Sequence, residues 1–222
     1  MKISKTIFNY LSELKLNNNR NWFIENKDRF TEIQSELVSL TGYFLSEIEK
    51  FDKNLKGVDP KSCIFRIYKD VRFSKDKSPY KTHFGIFMRG GNRKIEGTGY
   101  YLHIEPGESL LGGGCYMPDP KSLFKIRERI VSDTKSFRKI LDNKKFVQNF
   151  GTTFYADKLK TAPKGFAKDH PALDFLKYKG FAVGKKIKNS DLTSNHFMDD
   201  AIQSFRTIYP LNQFLEEAMA KK

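Results

Sequence analysis

Apolar residues in the first quarter of the chain recur at helical spacing. Ile7, Phe8, Leu11 and Leu14 share one face of a predicted first helix, with Ser4 placed to cap it. Asn17-Asn18-Asn19 should break this helix, because short amides compete for backbone hydrogen bonds. Trp22, Phe23, Phe30, Ile33, Leu37, Leu40, Phe44, Ile48 and Phe51 then step by three, four and seven, which predicts one long amphipathic helix ending by 56–60. From Cys63 the period changes to two. Phe65 and Ile67 alternate with Arg66 and Tyr68. Phe84, Ile86 and Met88 alternate with His83, Gly85, Phe87 and Arg89, and Tyr100, Leu102 and Ile104 alternate with Tyr101, His103 and Glu105. A further run, 109–116, contains Gly112-Gly113-Gly114. Lys77-Ser78-Pro79, Gly90-Gly91-Asn92 and Pro106-Gly107 punctuate these runs, as expected of an antiparallel meander.

Helical spacing returns after Asp119-Pro120, an N-cap followed by proline at the first helical position, and again from Asp133. Residues 161–171 read as a loop, 181–187 as another strand and 195–208 as a helix, with Pro210 restarting a last short one. The expected fold class is α+β: a single domain, 1–222, with an antiparallel sheet over about 63–116 and helices from both ends packed on one face.

Composition narrows the picture. Of the 222 residues 39% are apolar, with 20 Phe and 10 Tyr, enough for an ordered core. No stretch reaches the roughly 20 apolar residues of a membrane span, and the N-terminal residues lack the pattern of a secretory leader. The expected location is the cytoplasm, with no membrane partner. Cys63 and Cys115 belong to no C-x-x-C pair, so neither a zinc site nor a disulfide framework is indicated.

Net charge is +14. Lysine outnumbers arginine 30 to 10, a composition that genome bias alone also produces, so the placement of the charge says more than its sum. Residues 61–94 hold ten basic and two acidic groups, net +8, and residues 158–188 hold nine and two, net +7. Two such segments are expected to form one positive surface that concentrates anionic partners.

The stretch Arg66-Ile67-Tyr68-Lys69-Asp70-Val71-Arg72-Phe73-Ser74-Lys75-Asp76-Lys77-Ser78-Pro79-Tyr80-Lys81-Thr82-His83 resembles the signature of the conserved hypothetical proteins grouped as domain of unknown function 2461. Asn19-Arg20-Asn21-Trp22-Phe23, residues 99–107 and residues 163–171 resemble the same family. The resemblance implies a cytosolic, bacterial-type, single-domain protein and carries over no catalytic residues.

Strand parity suggests where chemistry could sit, since residues i and i+2 share a sheet face. If the apolar positions face the core, the opposite face displays Arg66, Tyr68, Asp70 and Arg72, then His83, Phe87 and Arg89, then Tyr101, His103 and Glu105. Arginine offers a planar donor fork for phosphate or carboxylate. Histidine titrates near neutrality and can act as acid or base. Arg66, Tyr68, Arg72, His83, His103 and Glu105 are therefore expected to converge on one pocket, with Tyr80 and Lys81 at its rim. His83, His103 and Glu105 are the candidate catalytic groups. Arg66, Tyr68, Arg72, Tyr80, Lys81 and Arg89, with Lys164 and Lys168 of the second basic segment, are the candidate ligand-binding groups. His103-x-Glu105 could hold a metal with His83 or Asp70 as a third ligand. A two-residue pair falls short of the three or four ligands a site needs, so no metal and no cofactor is assigned. Gly112-Gly113-Gly114 would let a backbone approach a ligand closely, or form a bulge or sheet bend.

Three functions suit these residues. The first is binding of an anionic, phosphate-bearing ligand or nucleic acid on a basic, aromatic-lined face. The second is an enzyme acting on a phosphorylated or carboxylated small molecule, with His and Glu as acid–base groups and Arg as anion clamps. The third is a protein-interaction module. Neither the ligand nor the oligomeric state can be read from the sequence.

Overall fold

A computed structural model describes residues 2–91 and 97–220. The turn expected at Gly90-Gly91-Asn92 lies partly outside them. Among the described residues the helices are α1 (Lys5–Leu16), α2 (Arg20–Glu25), α3 (Lys27–Glu49), α4 (Pro60–Cys63), α5 (Pro120–Ser132), α6 (Thr134–Leu141), α7 (Lys144–Phe150), α8 (Leu173–Leu176), α9 (Asn189–Leu192) and α10 (Phe197–Ala220). The strands β1 (Phe84–Met88), β2 (Gly99–Ile104), β3 (Leu110–Cys115) and β4 (Phe181–Lys186) form one antiparallel sheet in the order β1-β2-β3-β4. The α+β class is as expected, but the sheet extends beyond the predicted segment, since β4 lies beside β3. No helix among the described residues is long and apolar enough to cross a membrane.

The chain divides into two compact units. The first comprises residues 1–88, 101–111 and 186–202; the second comprises residues 89–100, 112–185 and 203–222.

In the first unit, α3 packs on β1. Phe30, Ile33, Leu37, Phe44 and Ile48 lie on its buried face, and the Phe30 and Phe84 rings stack at 6.4 Å. Phe84, Ile86 and Met88 are buried together with Leu102 and Ile104. Burying a side chain of this size contributes about 1.5–3 kcal/mol. The long helix expected from Trp22 to Phe51 is interrupted. Asn19 caps α2, its side chain accepting from the Trp22 amide at 3.0 Å, and Asn26 closes α2 by donating to the Trp22 carbonyl at 2.9 Å. Ser4 occupies the N-cap position of α1 but makes no capping bond. Its hydroxyl donates instead to Glu36 on α3 at 2.8 Å.

In the second unit, Phe137 is fully buried and touches the rings of Phe154, Phe175, Phe181 and Phe214. Asp119 caps α5 as expected, accepting from the Lys121 and Ser122 amides. Pro210 does not restart a helix; it lies inside α10. Proline supplies no N–H to the ladder, but Leu211, Phe214, Leu215 and Ala218 are all buried beyond it, and this burial carries the helix through. The triple glycine lies in β3 and serves backbone packing. A Cβ at Gly112 would stand 2.1 Å from the Val183 carbonyl oxygen, and one at Gly113 would stand 2.5 Å from the Gly99 carbonyl oxygen.

Candidate functional site

The strand expected at 63–68 does not form. Residues 65–83 are mostly irregular with scattered bends; an isolated bridge at Ile64–Ile86 joins the start of the segment to β1, and a second at Tyr68–Tyr80 pairs the segment with itself. Strand parity therefore fails for this segment. Phe65, not Arg66, lies beside the outer face of β1: its amide donates to the Gly85 carbonyl at 2.9 Å, and its ring is 6.3 Å from that of Tyr101.

Parity does hold on β1 and β2. His83 precedes β1, and Tyr101 and His103 alternate with the buried Leu102 and Ile104 of β2. The imidazoles of His83 and His103 lie 4.3 Å apart, centre to centre, with 30° between their planes. Tyr101 Oη and His103 Nδ1 share a hydrogen bond of 3.0 Å. His103 Nε2 lies 2.9 Å from Glu105 Oε2. The other carboxylate oxygen, Oε1, accepts from the Thr82 hydroxyl at 3.1 Å. The Glu105 backbone is clasped at both ends: its amide donates to Ser109 Oγ at 2.9 Å, and its carbonyl accepts from the same hydroxyl at 2.7 Å. Ser109 is fully buried, so the end of β2 is fixed. The His103 side chain is 14% exposed and that of Glu105 22%, so the cluster is recessed but open to solvent.

Burial pushes the His83 imidazole down to about 4, and neighbouring His103 and Lys81 add to the fall. It is neutral at physiological pH. Burial works to raise the Glu105 carboxyl, but hydrogen bonds from His103 and Thr82 outweigh it, and the group lies below its ordinary value. Lys81 is lowered by burial and then by the charge of Arg66. Its ammonium donates to the Arg66 carbonyl at 3.0 Å and lies 5.7 Å from the centre of the Phe65 ring.

The structure thus brings together His83, His103, Glu105 and Lys81, with Arg66 beside Lys81. Tyr80 and Tyr68 point elsewhere. Tyr80 is buried and stacks on Phe23 at 4.1 Å, and Tyr68 lies 6.0 Å from the same ring. The Asn18 side chain bonds both the amide and the carbonyl of Tyr80. Arg72 is exposed and engages Asp70 through two hydrogen bonds, at 3.0 and 2.7 Å. Arg89, Lys164 and Lys168 belong to the second unit. Arg89 is half-buried with its Nε donating to the Gly90 carbonyl, and Lys164 and Lys168 are exposed on the loop before α8. A groove in the second unit is lined by Tyr116, Met117, Tyr155 and Arg127. The Arg127 guanidinium there is engaged by the Leu176 and Tyr178 carbonyls.

Site-forming residues beyond the expected set are Thr82, Gly85, Phe65 and Ser109. Gly85 has a sequence signal, a glycine inside a strand pattern. A Cβ there would meet the Phe65 ring at 2.8 Å and Tyr101 Oη at 2.9 Å, so its absence makes the room these side chains occupy.

Among known proteins, the family model described as conserved hypothetical protein, DUF2461, matches residues 6–214. No curated protein and no solved structure matches the chain.

Proposed function

Starting from a chain that belongs to the DUF2461 family of conserved hypothetical proteins, we propose that it binds an anionic, phosphate-bearing ligand, a small molecule or a nucleic acid, on the outer face of β1 and β2. The observation that supports this most is the state of Lys81. Its ammonium is partly withdrawn from water, and its bonding partner is a neutral carbonyl. Among the described residues, neither Lys81 nor Arg66 has a carboxylate within ion-pair distance. A cation that loses part of its hydration without a counter-charge is stabilised by an anion, and a phosphate group would supply that charge. The ammonium offers three donors and the guanidinium a planar fork, while the neutral His83 imidazole adds a polar edge without adding charge. The setting is the cytoplasm, where the buried thiols of Cys63 and Cys115 stay reduced.

Calorimetric titration of the full chain at low salt with inorganic phosphate, a nucleoside triphosphate and a short single-stranded oligonucleotide tests this. Lys81→Ala is expected to weaken binding by about 10-fold, equivalent to about 1.4 kcal/mol, with little change in Tm. A steep fall in affinity with salt would mark a polynucleotide as the ligand. Absence of binding by all three probes, or a Lys81→Ala variant that binds like the parent, refutes the proposal.

A second reading, acid–base catalysis on a phosphorylated substrate, is favoured by the hydrogen-bonded chain from Tyr101 through His103 to Glu105. A carboxylate that orients an imidazole is the arrangement a general base needs. Turnover of phosphoesters, lost in His103→Gln with ligand binding retained, would distinguish it from binding alone.

A further inference from the structure

We infer that His83, His103 and Glu105 form a binding site for a divalent first-row transition metal ion. The sequence shows two potential ligands at i and i+2, and the structure adds the third, His83, from the residue just before β1. Each residue offers one ligand atom, and these atoms all lie within 4.8 Å of one another. Two imidazoles and one carboxylate are a donor set seen in catalytic zinc sites and in non-haem iron centres, where they leave positions open for a further ligand. No thiolate takes part, and the single carboxylate argues against calcium or magnesium, which take mainly oxygen ligands.

The surroundings resemble those of a metal site. A ligating imidazole usually donates its second N–H to an oxygen, which fixes its tautomer and orientation. His103 Nδ1 has that partner in Tyr101 Oη at 3.0 Å. A ligating carboxylate is usually hydrogen-bonded as well, and Glu105 Oε1 accepts from Thr82 at 3.1 Å. The atoms left facing inward are His103 Nε2 and Glu105 Oε2, 2.9 Å apart. With metal–ligand bonds of about 2.0–2.1 Å, the edge of a tetrahedral site is about 3.3 Å. The pair is therefore almost at its bonded separation, and the third donor lies within 4.8 Å of both. Glu105 and His103 sit on a strand end clasped by the buried Ser109. Closure then falls to His83, which precedes β1.

The metal ion also makes the anion-binding surface electrostatically coherent. Without it, the Glu105 carboxylate would repel an anion held by Lys81 and Arg66. With it, the carboxylate would be neutralised and that repulsion removed. This last step rests on the anion-binding proposal; metal binding itself rests on the donor set alone.

The test uses the full chain stripped with chelator, dialysed, and titrated with Zn²⁺ and Co²⁺ alone, with metal content measured after buffer exchange and Co²⁺ coordination read from its visible spectrum. One ion per chain is expected. His103→Ala and Glu105→Gln should each abolish stoichiometric binding. His83→Gln serves the same purpose should either fail to fold. Tyr101→Phe should lower affinity by about 10-fold or more through loss of the orienting hydrogen bond. His196→Ala, on an exposed residue that is not one of the three ligands, should bind as the parent does. No saturable binding by either ion, or binding unchanged in both His103→Ala and Glu105→Gln, overturns the inference. The two proposals fail separately. Metal bound by the parent and by Lys81→Ala with no phosphate binding defeats only the anion proposal. Phosphate bound by the metal-free chain and no metal taken up defeats only this one.

Discussion

Adding a single methyl group at Gly85 probes the site through its packing. The new Cβ would lie 2.8 Å from the Phe65 ring, 2.9 Å from Tyr101 Oη and 3.3 Å from Tyr101 Cε2. Carbon atoms rest about 3.5–4.0 Å apart, so the Phe65 ring must yield by more than half an ångström, and the Tyr101 hydroxyl has to move as well. Phe65 is 41% exposed and can swing outward. Tyr101 is held at 3.0 Å to His103, and a shift of about 0.5 Å takes that bond to the edge of hydrogen-bonding range. Overpacking costs about 1–3 kcal/mol, the lost bond about 0.5–1.5 kcal/mol, and alanine recovers about 0.5–1 kcal/mol over glycine in a strand. Gly85→Ala should therefore destabilise the protein by about 2 kcal/mol, read as a lower urea midpoint with an unchanged slope. The nitrogen resonances of His103 should shift as it loses its Nδ1 partner. In a Tyr101→Phe background, where Oη is gone, the same alanine should cost about 1 kcal/mol less. If Gly85→Ala is as stable as the parent and the His103 resonances do not move, the close packing of Phe65, Gly85 and Tyr101 is not what positions His103.

Two further predictions concern the scaffold. Gly112→Ala places a Cβ 2.1 Å from a backbone oxygen of β4, where no rotamer change can relieve it. Loss of more than about 4 kcal/mol, or failure to accumulate as folded protein, is expected, and a cooperative melt near that of the parent would contradict it. Tyr10 is buried with no hydrogen-bond partner for its hydroxyl among the described residues, and burial pushes the phenol up to about 12. Tyr10→Phe should raise stability by about 1 kcal/mol at neutral pH by removing an unsatisfied polar atom. Because the folded state favours the neutral phenol, Tyr10's contribution is fully present below the unfolded value near 10 and is lost as pH rises towards 12. The advantage of the phenylalanine variant should grow by about 1.4 kcal/mol by about pH 11. Parallel denaturation curves for the two proteins at neutral and alkaline pH would show it, and a constant gap would refute it.

How much of this was legible in the sequence depends on whether local pattern or long-range geometry decides each feature. Period two was reliable where strands pair along their length. Phe84, Ile86 and Met88 and then Leu102 and Ile104 are buried as alternation requires, which is why His83, His103 and Glu105 fall on one face. It misled at 65–73, where no strand forms and the chain leaves β1 after the Phe65 amide bond to Gly85, so nothing enforces alternation. Arg66 retains its place beside Lys81 for another reason, the bond from the Lys81 ammonium to its carbonyl. Tyr80 looked like a rim residue, yet the Asn18 clasp turns it onto Phe23, and a contact spanning 62 positions leaves no periodic trace. Pro210 reads as a helix boundary because proline breaks the ladder locally, whereas the buried residues beyond it decide the outcome.

The same distinction explains why a two-ligand motif was too little to assign a metal from sequence. His103 and Glu105 are neighbours in the chain, and their spacing alone is common. What gives them meaning is the third residue, His83, separated by a hairpin and brought within 4.8 Å by the pairing of β1 with β2. The supporting groups are equally non-local in origin. Thr82 reaches Glu105 across that pairing, and Gly85 leaves room for the tyrosine that orients His103. The stretch that carries the family resemblance ends at His83, and the stretch at 99–107 contains both His103 and Glu105. Two motifs that looked independent along the chain therefore supply the two halves of one cluster. That convergence is a stronger reason to look for function here than the charge or the composition of either segment.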